Sequence, residues 1–459
     1  MEPCRVLVPS GVLGSGCPQD AFDRGVALRP HAIAVDGGST DSGPYYLGAA
    51  VSKMTRAATK RDLRQAMRGR AELGVPLLVG SCGTSGTDAG VDWMADICRE
   101  IAEEDEQEVT VALLYSEQPV PRLETQRAAG RVSPLPPMGE LSRETLAECD
   151  HVVALMGWEP FADSITAGAD IVLAGRTTDT AVLAAVPLMR GAHAGGAWHA
   201  AKVAECGGLC TASTRRGGVM FSVDGEGFEI EPLAEDNRCT PESVSAHMLY
   251  ENADPYRLKE PGVVLDVEAA RYAALDERRV RVMGSIAEPA PYTMKLEGSG
   301  AVGFRTQAFS AIADPKVLAD FDRWRSALDG YLRAQIVSVL GLGPDDYDLQ
   351  LRAYGHDALG AAAPSAPPPR EVGLMALVTA ATQARATEIA KFCNPVLLHF
   401  PLDPSDPLPS FAFPFSPAEV ELGATYAFKL NHVIAVDHPS ELVRTEVRRF
   451  GRSAADVAA

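Results

Sequence analysis

The chain has 459 residues, 46% of them hydrophobic and 22% charged, with 42 Lys and Arg set against 61 Asp and Glu for a net charge of −19. Such a balance repels phosphate backbones and anionic lipid, so nucleic-acid and membrane partners are not expected, although an anionic small molecule can still be held by a few local cations. No apolar run reaches the roughly 18–20 residues that span a bilayer, the start Met-Glu-Pro-Cys-Arg has no secretory pattern, and nine scattered cysteines suit reduced thiols, which together imply a cytoplasmic location.

Residues 1–190 repeat one theme: a short apolar run, a Gly/Ser/Thr/Asp-rich loop, then a helical stretch. The runs are Arg5–Pro9, Ala32–Val35, Leu77–Gly80, Val109–Tyr115, Val152–Met156 and Ile171–Ala174, with helices expected at Lys60–Leu73 and Val91–Ile101. Alternation of this kind predicts an α/β fold: a doubly wound, mostly parallel sheet in the N-terminal half, forming a Rossmann-like domain. Residues 191–360 read as a second, α+β domain with short strands, turns and an amphipathic helix near Pro315–Leu340. Residues 361–371 read as an Ala/Pro-rich linker or loop. Residues 372–459 read as a helix-and-strand segment packed on the second domain, with a buried helix at Val372–Phe392 and strands at Val396–Phe400 and Tyr426–Val436.

In open α/β sheets ligands bind beyond the carboxyl ends of the strands. Asp36, Gly37, Gly38, Ser39, Thr40 and Asp41 follow the second run, and the glycine amides and hydroxyls there suit a cradle for phosphate or carboxylate. Ser81, Thr84 and Ser85 repeat the device after the third run. Neither loop carries the Gly-Lys-Ser/Thr ending of a P-loop or a complete dinucleotide fingerprint, so no nucleotide cofactor is indicated. Glu117 and Glu159 are paired carboxylates suited to acid and base roles, and Arg176 with Asp179 suits carboxylate recognition. His199 or Lys202 is a candidate proton shuttle. Cys206 and Cys210 lack zinc-knuckle spacing and a second Cys/His pair, so the metal ligands are left unassigned, with Asp36 and Asp41 as candidate holders of a divalent cation. Lys295 and Glu297 share one face of a strand, and Thr240-Pro-Glu-Ser243 starts a capped helix.

Asp36-Gly-Gly-Ser-Thr-Asp-Ser-Gly-Pro-Tyr-Tyr-Leu-Gly48, Gly168-Ala-Asp-Ile-Val-Leu-Ala-Gly-Arg176, Ala204-Glu-Cys-Gly207 and Tyr292-Thr-Met-Lys-Leu-Glu-Gly298 together resemble the acyclic terpene utilisation protein A family, over roughly Val6 to Leu442. The resemblance implies a role in catabolism of branched acids or their CoA thioesters and transfers no catalytic residues. The ferredoxin-like module of some relatives is not obvious here, which points to a homo-oligomer with a separate small companion subunit. The expected function is a lyase, a hydro-lyase or hydratase, acting on a small carboxylic acid or acyl-CoA. In it the Ser39–Thr40 and Ser81–Ser85 loops with Arg176 hold the substrate, and Glu117, Glu159, Asp41 or His199 moves the proton. Phosphoryl or acyl transfer through the Asp-Gly-Gly-Ser-Thr loop, and a non-catalytic metabolite- or partner-binding scaffold, are the alternatives.

Overall fold

A computed structural model describes residues 2–215, 217–250, 252, 254–360 and 369–451, so most of the expected linker lies outside the described residues. The chain divides into two compact units, Met1–Gly300 with Phe428–Ala459, and Ala301–Ala427; residue 190 falls inside the first.

In the first unit, the early apolar runs form β1 (Cys4–Val8), β2 (Ala32–Asp36), β3 (Leu77–Gly80), β4 (Val109–Tyr115), β5 (Val132–Pro134), β6 (His151–Ala154) and β7 (Ile171–Ala174). Five of these lie parallel in the order β1-β2-β3-β7-β4. Parallel strands need both faces covered, and the residues alternate accordingly. Ile33, Val35, Leu77 and Val79 pack with helices Gln19–Ala27, Arg56–Leu73 and Asp88–Glu104, while Ala32, Ala34, Leu78 and Val172 pack with helices Ala181–Met189 and Ala194–Ala204.

The sheet as a whole is mixed, not mostly parallel. Beyond β1 it continues antiparallel through β8 (Val219–Val223), β9 (Gly227–Pro232) and strands Val280–Met283 and Arg271–Ala274, and Arg444–Phe450 closes the β4 edge antiparallel. These four of the short strands expected in a separate domain thus extend the first sheet, while Arg257–Glu260, Val263–Asp266 and Ile286–Pro289 form a small antiparallel sheet of their own. β6 leaves the row: it pairs antiparallel with Leu296–Ser299 of strand Thr293–Ile312. The loops after β1, β2, β3, β4 and β7 therefore share one edge, and the loop after β6 does not belong to that parallel set.

In the second unit, strands Tyr347–Tyr354 and Val372–Ala380 pair antiparallel, and Val372–Ala380 also pairs with Phe304–Ile312. The buried helix expected at Val372–Phe392 is instead this strand followed by helix Gln383–His399, which also absorbs the strand expected at Val396–Phe400. A continuous apolar run reads equally as buried strand or buried helix, and here the strand lies between two neighbours that satisfy both its edges. The expected amphipathic helix is broken into Pro315–Ala319 and Phe321–Gln335; Trp324 of the latter is fully buried and donates its indole N–H to Phe400 O at 2.9 Å. No helix among the described residues is long and apolar enough to cross a membrane.

Candidate active site

Asp36 is the last residue of β2, and the glycines after it are there for backbone contact. A Cβ on Gly37 would lie 2.5 Å from Gly80 O, and one on Gly38 (φ +136°) 2.7 Å from Thr84 Cα. The loops after β2 and β3 therefore pack backbone on backbone. Their amides are spent in doing so: Gly37 N–H donates to Gly80 O, Gly38 N–H to Asp36 Oδ2 and Asp41 N–H to Ser39 Oγ, while those of Ser81 and Cys82 go to Gly175 O and Ala174 O. The two glycine amides expected to cradle an anion thus face protein acceptors. Ser81 Oγ accepts from Arg176 Nη1 at 3.1 Å, and Ser85 Oγ donates to Tyr46 O, so both hold loops in place and neither faces a ligand. Ser39 and Thr84 do line a cavity.

The same packing yields a stability prediction. Gly86 has φ +67° and sits so close to β7's end that a Cβ would lie 2.2 Å from Arg176 N. Gly86→Ala should cost about 3 kcal/mol or more from combined backbone strain and overlap, read by urea unfolding; a loss within the error of the wild-type value would contradict this packing.

Two neighbouring cavities of about 650 and 380 Å³ lie at this edge, sharing Asp41, Asp179 and Glu205 in their walls. The larger is lined by the cations Arg176, Lys202, Arg257, Lys259 and Lys295 as well as by Glu260 and Glu297. The smaller has four carboxylates, Asp36, Asp41, Asp179 and Glu205, against one cation, Lys53, so it favours positive charge.

Arg176 organises the shared floor. It is buried, with Nε on Glu297 Oε2 at 3.0 Å and Nη1 on Asp179 Oδ1 at 3.1 Å. Glu297 also accepts from Thr40 Oγ1 and Lys295 Nζ, at 2.9 and 2.8 Å. Burial alone would raise its pKa, but Arg176 and Lys295 outweigh that and bring it to about 2. Through Nε and Nη1 Arg176 serves these protein partners and so anchors the site, and it also lines the larger cavity.

The remaining acids move the other way. Asp36 is pushed well above the usual carboxylate range by burial and by the charge of Asp179, and its Oδ1 has no partner among the described residues. Burial lifts Glu260 to about 7; its Oε1 accepts from Thr180 Oγ1 and its Oε2 is buried without a partner. Burial also lifts Glu205, paired with Lys202, to about 8, and raises Asp179. Carboxyl groups whose pKa is raised beside an open cavity are the kind that proton transfer uses.

A model of the family described as Acyclic terpene utilisation family protein AtuA matches residues 59–402, well over half of the chain. The chain belongs to the acyclic terpene utilisation family. Neither a curated protein nor a solved structure matched it. The matched span contains Arg176, Asp179, Lys202, Glu205, Glu260 and Glu297, and the Asp36–Asp41 loop precedes it.

Three expected proton carriers lie away from this family member's cleft. His199 is fully buried in helix Ala194–Ala204; both ring nitrogens are engaged, with Ser285 Oγ at 2.7 Å and Tyr272 OH at 3.1 Å, and burial pushes its pKa down to about 3. It is a neutral core histidine. Glu159 accepts from Tyr292 OH at 2.7 Å, and burial raises it. Glu117 is bound by His151 Nδ1 at 2.5 Å and by Asp88 N–H at 2.9 Å. Neither glutamate lines the cleft. Asp41 does, exposed at its mouth, and accepts from Ser39 Oγ at 2.6 Å. Glu260 escaped the sequence reading altogether: Leu258-Lys-Glu-Pro-Gly262 carries no motif, and only the turn of its hairpin brings it to the cavity.

The Glu117–His151 pair gives a pH dependence. The hydrogen bond to Glu117 raises the pKa of His151. A raised folded-state value adds stability that is complete below the unfolded pKa of roughly 6.5 and disappears as pH climbs through the folded one. The stability lost in Glu117→Gln should therefore be larger at mildly acidic than at alkaline pH in urea titrations; a pH-independent difference would rule the pairing out.

Proposed function

We propose that this member of the family is a lyase of the hydro-lyase type, acting on a small carboxylic acid or its CoA thioester. The observation that carries the reading is the pair Asp36 and Glu260, in neighbouring cavities that share wall residues: each has a buried carboxyl oxygen that no described residue binds, with Asp36 pushed well above the usual carboxylate range and Glu260 lifted to about 7. In this reading Asp36 takes the proton from the carbon next to the carbonyl. Lys259 and Lys295, in the wall of the larger cavity, offset the charge that develops on the carbonyl oxygen. Glu260 gives its proton to the departing hydroxyl, so that a C–H and a C–O bond break, a C=C bond forms and water leaves. Phosphoryl transfer through the Asp36–Thr40 loop draws no support, because its glycine amides are already spent.

The test is a panel of hydroxy acids, unsaturated acids and their CoA thioesters, followed by the absorbance of the conjugated double bond. Elimination should slow as pH rises through about 7, where Glu260 loses its proton. That limb should vanish in Glu260→Gln along with most of the rate. An inert panel, or full activity in Glu260→Gln, would set the reading aside.

A further inference from the structure

Beside the proton-carrying acids lies a second cluster with different chemistry. Glu205 caps the C-terminus of helix Ala194–Ala204 and Cys206 follows it. The backbone there is fixed: a Cβ on Gly11 would lie 2.7 Å from Cys206 C, and Gly207, at φ +58°, turns the chain against Ser10 and Gly11. His247 arrives from a distant segment, directly after helix Pro241–Ala246, whose Thr240–Ser243 capping box is formed as expected. Ser243 Oγ donates to Cys210 O at 2.8 Å and so ties that helix to the Cys206–Cys210 turn. A carboxylate oxygen of Glu205, the thiol of Cys206 and a ring nitrogen of His247 all fall within 4.8 Å of one another.

We propose that Glu205, Cys206 and His247 form a binding site for a single transition-metal ion of the zinc type, open toward the smaller cavity. Carboxylate, thiolate and imidazole are the donors such an ion takes, and a thiolate selects it over magnesium or calcium. Three protein ligands with a vacant direction toward a cavity are the arrangement of catalytic zinc sites, in contrast to the four closed ligands of structural ones. Two independent features point to a cation. His247 is 5% exposed, and its Nε2 is buried without a partner among the described residues. The cavity that Glu205 and Cys206 line also holds the unpartnered Oδ1 of Asp36. Lys202 bonds Glu205 through Oε1 and gives the ligand a partner that orients it. The spacing of Cys206 and Cys210 along the chain argues only against a zinc knuckle; the histidine that completes this set comes from some forty residues farther on.

The probe is Co²⁺ added to the chelator-treated full chain. One ion should bind per chain with a sulfur-to-cobalt charge-transfer band that Zn²⁺ displaces. Cys206→Ser should abolish the band, His247→Gln should weaken binding at least tenfold, and Cys17→Ser, at a thiol outside the cluster, should leave both unchanged. Should either site variant fail to fold by circular dichroism, the wild type still decides the matter, since Zn²⁺ should protect Cys206 from alkylation. No bound cobalt, a band that survives in Cys206→Ser, or alkylation of Cys206 indifferent to Zn²⁺ would overturn the site. The readout is spectroscopic, so its failure leaves the lyase reading standing, and an inert substrate panel leaves the metal site standing.

Discussion

Asp36→Asn should lower turnover by about 10²–10⁴-fold and at the same time leave the protein folded and, at neutral pH, more stable than the wild type. Gly38 N–H donates to Asp36 Oδ2, a bond an asparagine oxygen can accept in turn, so the loop is kept. The stability gain follows from linkage. Burial and the neighbouring Asp179 raise the pKa of Asp36 in the folded state. The stabilisation from its bound proton is complete below the ordinary carboxylate pKa and is lost as pH rises through the raised folded value. An asparagine carries no such penalty. Activity and melting temperature should therefore move in opposite directions, as they do where a protein carries strain for function. Equal losses in both would make Asp36 merely structural.

Arg176→Met should be the most destabilising single change in the site, at about 3–5 kcal/mol. It strips a buried guanidinium from Glu297 and Asp179 and leaves Glu297, whose side chain is only 6% exposed, ionised with Lys295 alone. Glu297 has a depressed folded pKa of about 2, so its contribution is present above the unfolded value and is lost as pH falls through the folded one. In the variant that depression is largely gone, so the gap between the two proteins should narrow as the pH falls toward 2. Adding Glu297→Gln should recover part of the loss, since it removes the stranded charge. Urea unfolding at several pH values measures all three, and a gap that widens in acid would contradict this account.

Each expected early strand is present because a fully buried strand announces itself as an unbroken apolar run: Ala32–Val35 and Ile171–Ala174 have no other way to be satisfied. What such runs do not encode is their partner. Nothing in Val219–Val223 says that it lies antiparallel to β1, and nothing in His151–Ala154 says that it leaves the parallel row. The loop Asp36–Asp41 is visible as chemistry, but close backbone approach and anion binding ask for the same residue, so its glycines alone do not say which they serve. His199 stands in sequence beside Lys202, Glu205 and Cys206, which makes it a shuttle candidate, but its helix is buried along its length and turns the imidazole into the core. Glu260 and His247 are out of reach of the sequence for one shared reason: Glu260 lines the larger cavity and His247 meets Glu205 and Cys206 from segments far along the chain, and distance in sequence carries no trace of proximity in space.

The central claim is that this acid-lined cleft removes a proton from the carbon beside a carbonyl. The most direct measurement is nuclear magnetic resonance of small carboxylic acids and their CoA thioesters incubated with the protein in deuterated water. Deuterium should enter at that carbon for at least one substrate with the wild type, and incorporation should stop with Asp36→Asn. Exchange that persists at the wild-type rate in Asp36→Asn, or occurs with no member of the panel, would contradict the claim.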